Sequence, residues 1–107
     1  MNKMPKALRA RLAADPYMRQ CARDGPDCDG RVTWEHSLYA RGRQLQEAFA
    51  IVPLCHFHHL GKGLNKELNR HLAYQRATDA DFDKYPRSSA AWRQEKKYLE
   101  GKYGNAT

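Results

Sequence analysis

Apolar positions in this chain fall into short groups whose spacing switches from helical to strand-like and back. From Pro5 to Ala14, Ala7, Leu8 and Leu12 share one helical face and Pro5 stands at an early position, so a short helix is expected, ended by Asp15-Pro16. The stretch 21-CARDGPDCDG-30 is dense in Gly, Pro and Asp and reads as a loop. Residues 31–36 (RVTWEH), rich in β-branched and aromatic side chains, predict a strand. Residues 37–47 are polar and read as an irregular loop carrying Arg41, Gly42 and Arg43. The continuous apolar run 48–54 (AFAIVPL) predicts a second strand, with Pro53 marking its end or an edge, and Cys55–His59 opens a helical segment.

After Gly61 and Gly63, leucines at 64, 68 and 72 form a stripe at i, i+4 and i+8 and predict a helix over 64–77. Tyr85-Pro86-Arg87-Ser88-Ser89 supplies a break and a candidate N-cap for a last helix over 90–103, where Trp92 and Leu99 lie a heptad apart and are expected to pack onto the core. No repeat, low-complexity tract or linker interrupts the pattern. The expected class is α+β, with residues 1–107 as a single domain: a motif core over 21–62 and C-terminal helices over 64–103.

Composition makes that core thin. Only 41% of the 107 residues are hydrophobic, so a metal, disulfide or partner subunit would be a useful staple. Three cysteines cannot all pair within one monomer, and the N-terminal residues lack the apolar region of a secretory signal. The expectation is a cytoplasmic protein with reduced thiols, where cysteines grouped with histidines point to metal before disulfide. No run approaches the ~18 apolar residues needed to cross a membrane. Nineteen Lys and Arg against twelve Asp and Glu give +7 at pH 7, the footprint expected of a nucleic-acid binder, although solvated helix faces produce the same charge.

One cysteine and three histidines occupy the five positions 55–59. Cys55 and His58 form C-x2-H, and Cys21 and Cys28 form a longer C-x6-C pair. Two such pairs from separate places are how a structural zinc site is assembled; the alternative is three buried thiols and an unrelated histidine. In a helix starting near Cys55, His59 points about 100° away from His58, so it can serve a second site, while His56 is expected at the surface. The other outlying group is Trp34-Glu35-His36. A regular strand sends Glu35 and His36 to opposite faces, but a bulge or strand end can bring both to one cleft, and an antiparallel hairpin of 31–36 with 48–54 would lay His36 near the helix that begins at Cys55.

The residues WEH, a polar loop, and then AIVPLCHFHHLGK resemble the HNH endonuclease motif, the ββα-metal fold, and in particular small zinc-stapled phage and prophage members, among them the recombination-associated nuclease of phage. The similarity covers Cys21 to Lys62, about two fifths of the chain. It implies a zinc-stapled hairpin and helix flanked by additional helices. It also implies zinc on Cys21, Cys28, Cys55 and His58, Glu35 and His59 as ligands of a catalytic Mg²⁺ or Mn²⁺, and His36 as general base. The motif's middle Asn would fall at Ala50, which can neither ligate nor hydrogen-bond; in the family that Asn often props the loop carrying the base.

What this implies is a metal-dependent endonuclease that hydrolyses DNA phosphodiester bonds, leaving 5′-phosphate and 3′-hydroxyl ends. Neutral imidazole suits the base, and a hard cation suits the charge on the phosphate. Arg41, Arg43, Lys62, Lys66 and Arg70 are the expected contacts to DNA phosphates. Asn65, Asn69 and His71 are near enough to complete the metal site, and spacing does not select among them. The alternatives are a non-catalytic zinc-containing DNA-binding module, favoured by Ala50, and a protein-interaction domain of a phage recombination or replication complex.

Overall fold

Helix α1 (Lys6–Ala13) forms where the Ala/Leu spacing predicts it, and Pro16 opens a 3-10 turn, Pro16–Arg19, whose first N–H groups are served by the Asp15 carboxylate accepting from Tyr17. The structure, a computed structural model, describes residues 4–104; residues 1–3 and 105–107, part of the single-domain span expected above, lie outside the described residues. The chain is α+β, with five helices and two small antiparallel sheets among the described residues. No helix among the described residues is long and apolar enough to cross a membrane.

Strand β1 (Val32–His36) is followed by a miniature hairpin, β2 (Tyr39–Ala40) and β3 (Arg43–Gln44), inside the segment expected to be irregular. Its turn needs left-handed backbone at both central positions, and Arg41 (φ 55°) and Gly42 (φ 79°) provide it. The next strand is shorter than the apolar run suggested. Ala48–Ala50 close a 3-10 turn, and only Ile51–Cys55 form β4, which pairs antiparallel with β1 so that Glu35 faces Val52 and His36 faces Ile51. Pro53 lies mid-strand. Its carbonyl accepts from the Ala22 N–H at 2.8 Å, so this residue faces away from β1 and its missing N–H costs the ladder nothing. All five residues of β4 are buried. Val52 and Leu54 enter the main core, whereas Ile51 joins Leu12 and Met18 on the opposite face, with Trp34 packed against them.

Helix α2 (His56–His59) is a single turn, and α3 (Lys66–Arg76) begins two residues later than the leucine stripe implied, because the Asn65 side chain caps it by accepting from the Leu68 N–H. Leu64 is therefore outside the helix and exposed, and the buried face of α3 carries Asn69, His71, Ala73 and Tyr74 rather than the leucines. Helix α4 (Asp79–Asp83), too short to show a periodic pattern, is nucleated by a capping box between Thr78 and Asp81. Helix α5 (Pro86–Tyr103) starts at Pro86, not after the serines: proline's fixed φ suits a first helical position, and the N–H groups of Ser88 and Ser89 already point to the Tyr85 carbonyl. Trp92 and Leu99 are buried as expected. Trp92 sits with Phe49 and Phe82 in an aromatic cluster with centroids 5.9–6.4 Å apart, Phe49 edge-to-face with both and Phe82 tilted against Trp92.

Leu99 has no exposed surface and lies where α5 packs on the main core. Leu99→Ala should lower unfolding free energy by about 2–5 kcal/mol, read as a shifted denaturant midpoint at unchanged slope.

Candidate metal centre and adjoining cleft

The loop before β1 is laid against the β4–α2 junction by backbone bonds: Ala22 N–H to Pro53 O, and Phe57 N–H to Asp29 O at 3.1 Å. Gly30 permits the approach. It has φ 84°, and a Cβ there would meet the His56 Cβ at 2.7 Å. Cys21 and Cys28 thereby reach Cys55 and His58, which are paired by the i, i+3 spacing of a first helical turn. The His58 Nδ1 lies 3.4 Å from Cys21 Sγ, 3.7 Å from Cys28 Sγ and 3.2 Å from Cys55 Sγ, and all four ligand atoms lie within 4.8 Å of one another. A tetrahedral ion with bonds of about 2.3 Å to sulfur and about 2.0–2.1 Å to nitrogen would hold its S and N ligands about 3.6 Å apart. The donor set and its spacing thus fit one metal ion.

The remaining polar atoms agree. Nε2 of the buried His58 is 3.2 Å from Asp27 Oδ1, which draws the ring proton to Nε2 and leaves the Nδ1 lone pair for the cluster. Burial raises the Cys55 thiol, but the backbone N–H groups of Asp29 and His58 and the Cys21 and Cys28 thiols outweigh it and bring it down to about 6. Cys28 moves the other way: the Gly25 N–H lowers it, while desolvation and the Cys21 and Cys55 thiols raise it and prevail. Cys28 is also the exposed member of the set.

A second constellation borders the first. A cleft of about 500 Å³ is lined by Glu35, His36, His59, Tyr39, Lys66 and Arg70, among others. By register Glu35 and His36 lie on opposite faces of β1, yet both reach the cleft, because among the described residues β1 pairs with β4 alone and the strand ends at His36. His59 does turn away from the Cys/His cluster: its Nδ1 is 2.6 Å from Thr33 Oγ1. That hydroxyl gives its single proton to the Leu54 carbonyl at 3.1 Å, so it accepts from His59 Nδ1–H, and Nε2 keeps the free lone pair that a metal ligand needs.

Glu35 Oε1 accepts from Ser37 Oγ at 2.9 Å, and Asn69 Nδ2 lies 3.3 and 3.1 Å from its two oxygens. Of the three residues that spacing could not choose between, Asn65 caps α3, His71 stacks on Tyr103 and Asn69 alone reaches Glu35. The His36 Nε2 is 3.1 Å from Gln46 Oε1. Ala50 is fully buried in the core, so the amide beside His36 comes from Gln46, four residues earlier in the chain. Glu35, His36 and His59 border the cleft without forming a close cluster like that of Cys21, Cys28, Cys55 and His58, the group found among the described residues. His56 is exposed, as expected.

Of the basic residues, Lys66 and Arg70 border the cleft, and Arg41, Arg43 and Lys62 are exposed outside its lining. Arg70 is clasped by Glu95, Nε to Oε1 at 3.0 Å and Nη2 to Oε2 at 3.1 Å, so much of its charge is already matched. Thr33, Ser37, Gln46 and Asp27 are among the residues that sequence reasoning missed. Thr33 was open to detection, since it shares a strand face with Glu35; Ser37 directly follows the strand, and Gln46 and Asp27 lie in loops and carry no periodic signal.

Comparison of the chain with family models, with curated proteins and with solved structures finds no match. Fold and site together define an α+β protein with a Cys3His cluster able to hold one metal ion.

Cys28→Ser should unfold or strongly destabilise the protein, whereas His36→Ala, outside the cluster, should leave Tm nearly unchanged; parallel melting curves with metal quantification check both. Asp27→Ala keeps all four ligands but should weaken metal affinity about 10–100-fold, measured by competition with a chromophoric chelator.

Proposed function

We propose that the chain is a metal-dependent HNH-type endonuclease that hydrolyses DNA phosphodiester bonds, with zinc in the Cys21, Cys28, Cys55 and His58 cluster. The antiparallel β1/β4 pair followed directly by α2 has the strand, strand, helix order of a ββα-metal core. The observation that carries the reading is the cleft bordered by Glu35 and His36 from β1 and by His59 from α2, with the His59 tautomer set by Thr33.

His36 takes the proton of the attacking water, whose oxygen forms the new bond to phosphorus as the bond to the 3′ oxygen breaks; the products carry a 5′-phosphate and a 3′-hydroxyl. Gln46 holds the imidazole in place, and with Nε2–H donating to it, Nδ1 is the basic nitrogen. Glu35 and the His59 Nε2 would hold one Mg²⁺ or Mn²⁺, whose chemistry is to stabilise charge on the phosphate and the departing oxygen. Ser37 and Asn69 orient the Glu35 carboxylate, and Lys66 adds positive charge at the rim.

A non-catalytic zinc-containing DNA-binding module is the second reading, and the three hydrogen-bond contacts already taken up by Glu35 favour it. Supercoiled plasmid incubated with protein and Mg²⁺ or Mn²⁺ separates the two. Nicking should fall about 10²–10⁴-fold in His36→Ala and be lost in His59→Ala, with zinc retained in both. DNA retardation without nicking by the parent protein would instead select the binding module. Absence of both effects would leave the exposed Tyr39, Leu60 and Leu64 around the cleft as a surface for a protein partner, the interaction-domain reading.

A further inference from the structure

Two other hollows of the surface differ in how their charges are arranged. The one between α1, the Ala48–Ala50 turn and the end of α3 has Arg11, Arg76 and Lys84 on its walls, and among them Asp15, Glu47 and Asp81. Arg76 is paired with Asp15 at 3.1 Å and Lys84 with Glu47 at 3.7 Å, so two of its three cations are matched within the protein. The other is an open trough of about 600 Å³ lined by Met4, Arg9, Met18, Arg19, Arg31 and the β1 residues Val32, Thr33 and Trp34. No acidic side chain lines it.

Three separate elements bring the arginines of this trough together: Arg9 from α1, Arg19 from the 3-10 turn and Arg31 from the residue leading into β1. All three are exposed, and among the described residues none of them forms an ion pair, unlike Arg70, Arg76 and Arg93. Trp34 lines both the trough and the cleft that holds His36 and His59, so the two are contiguous. Its ring is fixed by a bond from Nε1 to the Met18 carbonyl at 3.1 Å, which also ties the Arg19 turn to β1. Unpaired guanidinium groups converging on an open, acid-free trough are matched by a polyanion whose charges repeat along its length.

We propose that Arg9, Arg19 and Arg31 form a second phosphate-binding site, which grips the backbone of the same DNA molecule whose neighbouring segment lies in the cleft. This rests on the nucleic-acid part of the function proposed above, but not on catalysis. The trough positions the substrate through its backbone and reads no bases.

Binding, measured by fluorescence anisotropy without divalent cations on a duplex of about two helical turns, tests it apart from cleavage. The variant Arg9→Gln/Arg19→Gln/Arg31→Gln is compared with Arg87→Gln/Lys96→Gln/Lys97→Gln on α5, which changes net charge equally at a distant place. The trough variant should bind more weakly, and the salt dependence of its log affinity should flatten by about 0.9 for each phosphate contact removed; the α5 variant should keep the parent's slope. Melting and metal content report whether each variant is folded, and Arg19→Gln alone carries the same test with a smaller change of slope. Equal weakening by both triple variants, or none by the trough variant, overturns the proposal. So does a parent protein that binds no duplex, or anionic vesicles depending on these arginines while duplex binding does not. A trough-dependent slope in a protein that never nicks plasmid upholds the site and overturns only the nuclease reading.

Discussion

Three thiols converge on one nitrogen of His58, and most of what lies around the cleft depends on that convergence. Helix α2 has four residues, far short of what holds a helix in water by itself. Its axis is set from outside, because Cys55 and His58 are drawn to a point that the loop carrying Cys21 and Cys28 also reaches. Once the His58 ring is committed inward, the next residue must point elsewhere, and His59 arrives against Thr33 on β1. A hydrophobic contact could bury the same segments, but it would not fix the azimuth of a single helical turn; directional bonds to an ion held by the cluster would.

Beyond the cluster, the cleft is held by polar contacts that each immobilise one side chain: Thr33 on His59, Gln46 on His36, Ser37 and Asn69 on Glu35. This arrangement carries a cost in stability. The Asn69 Oδ1 and Gln46 Nε2 atoms are buried without a partner among the described residues, and each such atom costs roughly 1–3 kcal/mol. The aromatic cluster of Phe49, Phe82 and Trp92, packed within the main core, contributes stability that offsets it.

Charge is arranged along similar lines. Acids are interleaved with cations around α3 and α5, where Arg70 meets Glu95 and Lys102 meets Glu67, and these pairs act as struts between helices. The same network raises the Tyr74 hydroxyl, through burial first and the Glu95 carboxylate second, so that it remains a donor within the strut. Along the outer edge of β1, among the described residues, no acidic side chain lines the trough beside Arg9, Arg19 and Arg31.

How much of this was legible in the sequence follows from the range of the forces involved. The Ala/Leu spacing of α1, the β-branched run of β1, the Trp92 and Leu99 pair of α5 and the ligand identity of Cys21, Cys28, Cys55 and His58 are local or compositional facts, and the chain determined them by itself. The divergence of His58 from His59 follows from helical geometry. Tertiary packing decided the rest. It buried Asn69 and His71 in place of the leucines of α3, because α3 is covered by α5 on one side and by the β1–β4 sheet on another, and a stripe of leucines cannot tell which face will be covered. It placed Pro53 within a strand whose outer edge meets a loop, and it chose Asn69, Gln46 and Asp27 as partners for Glu35, His36 and His58. Those choices are contacts between residues far apart or in loops, and they exist only once the backbone has closed, so no period in the sequence could encode them.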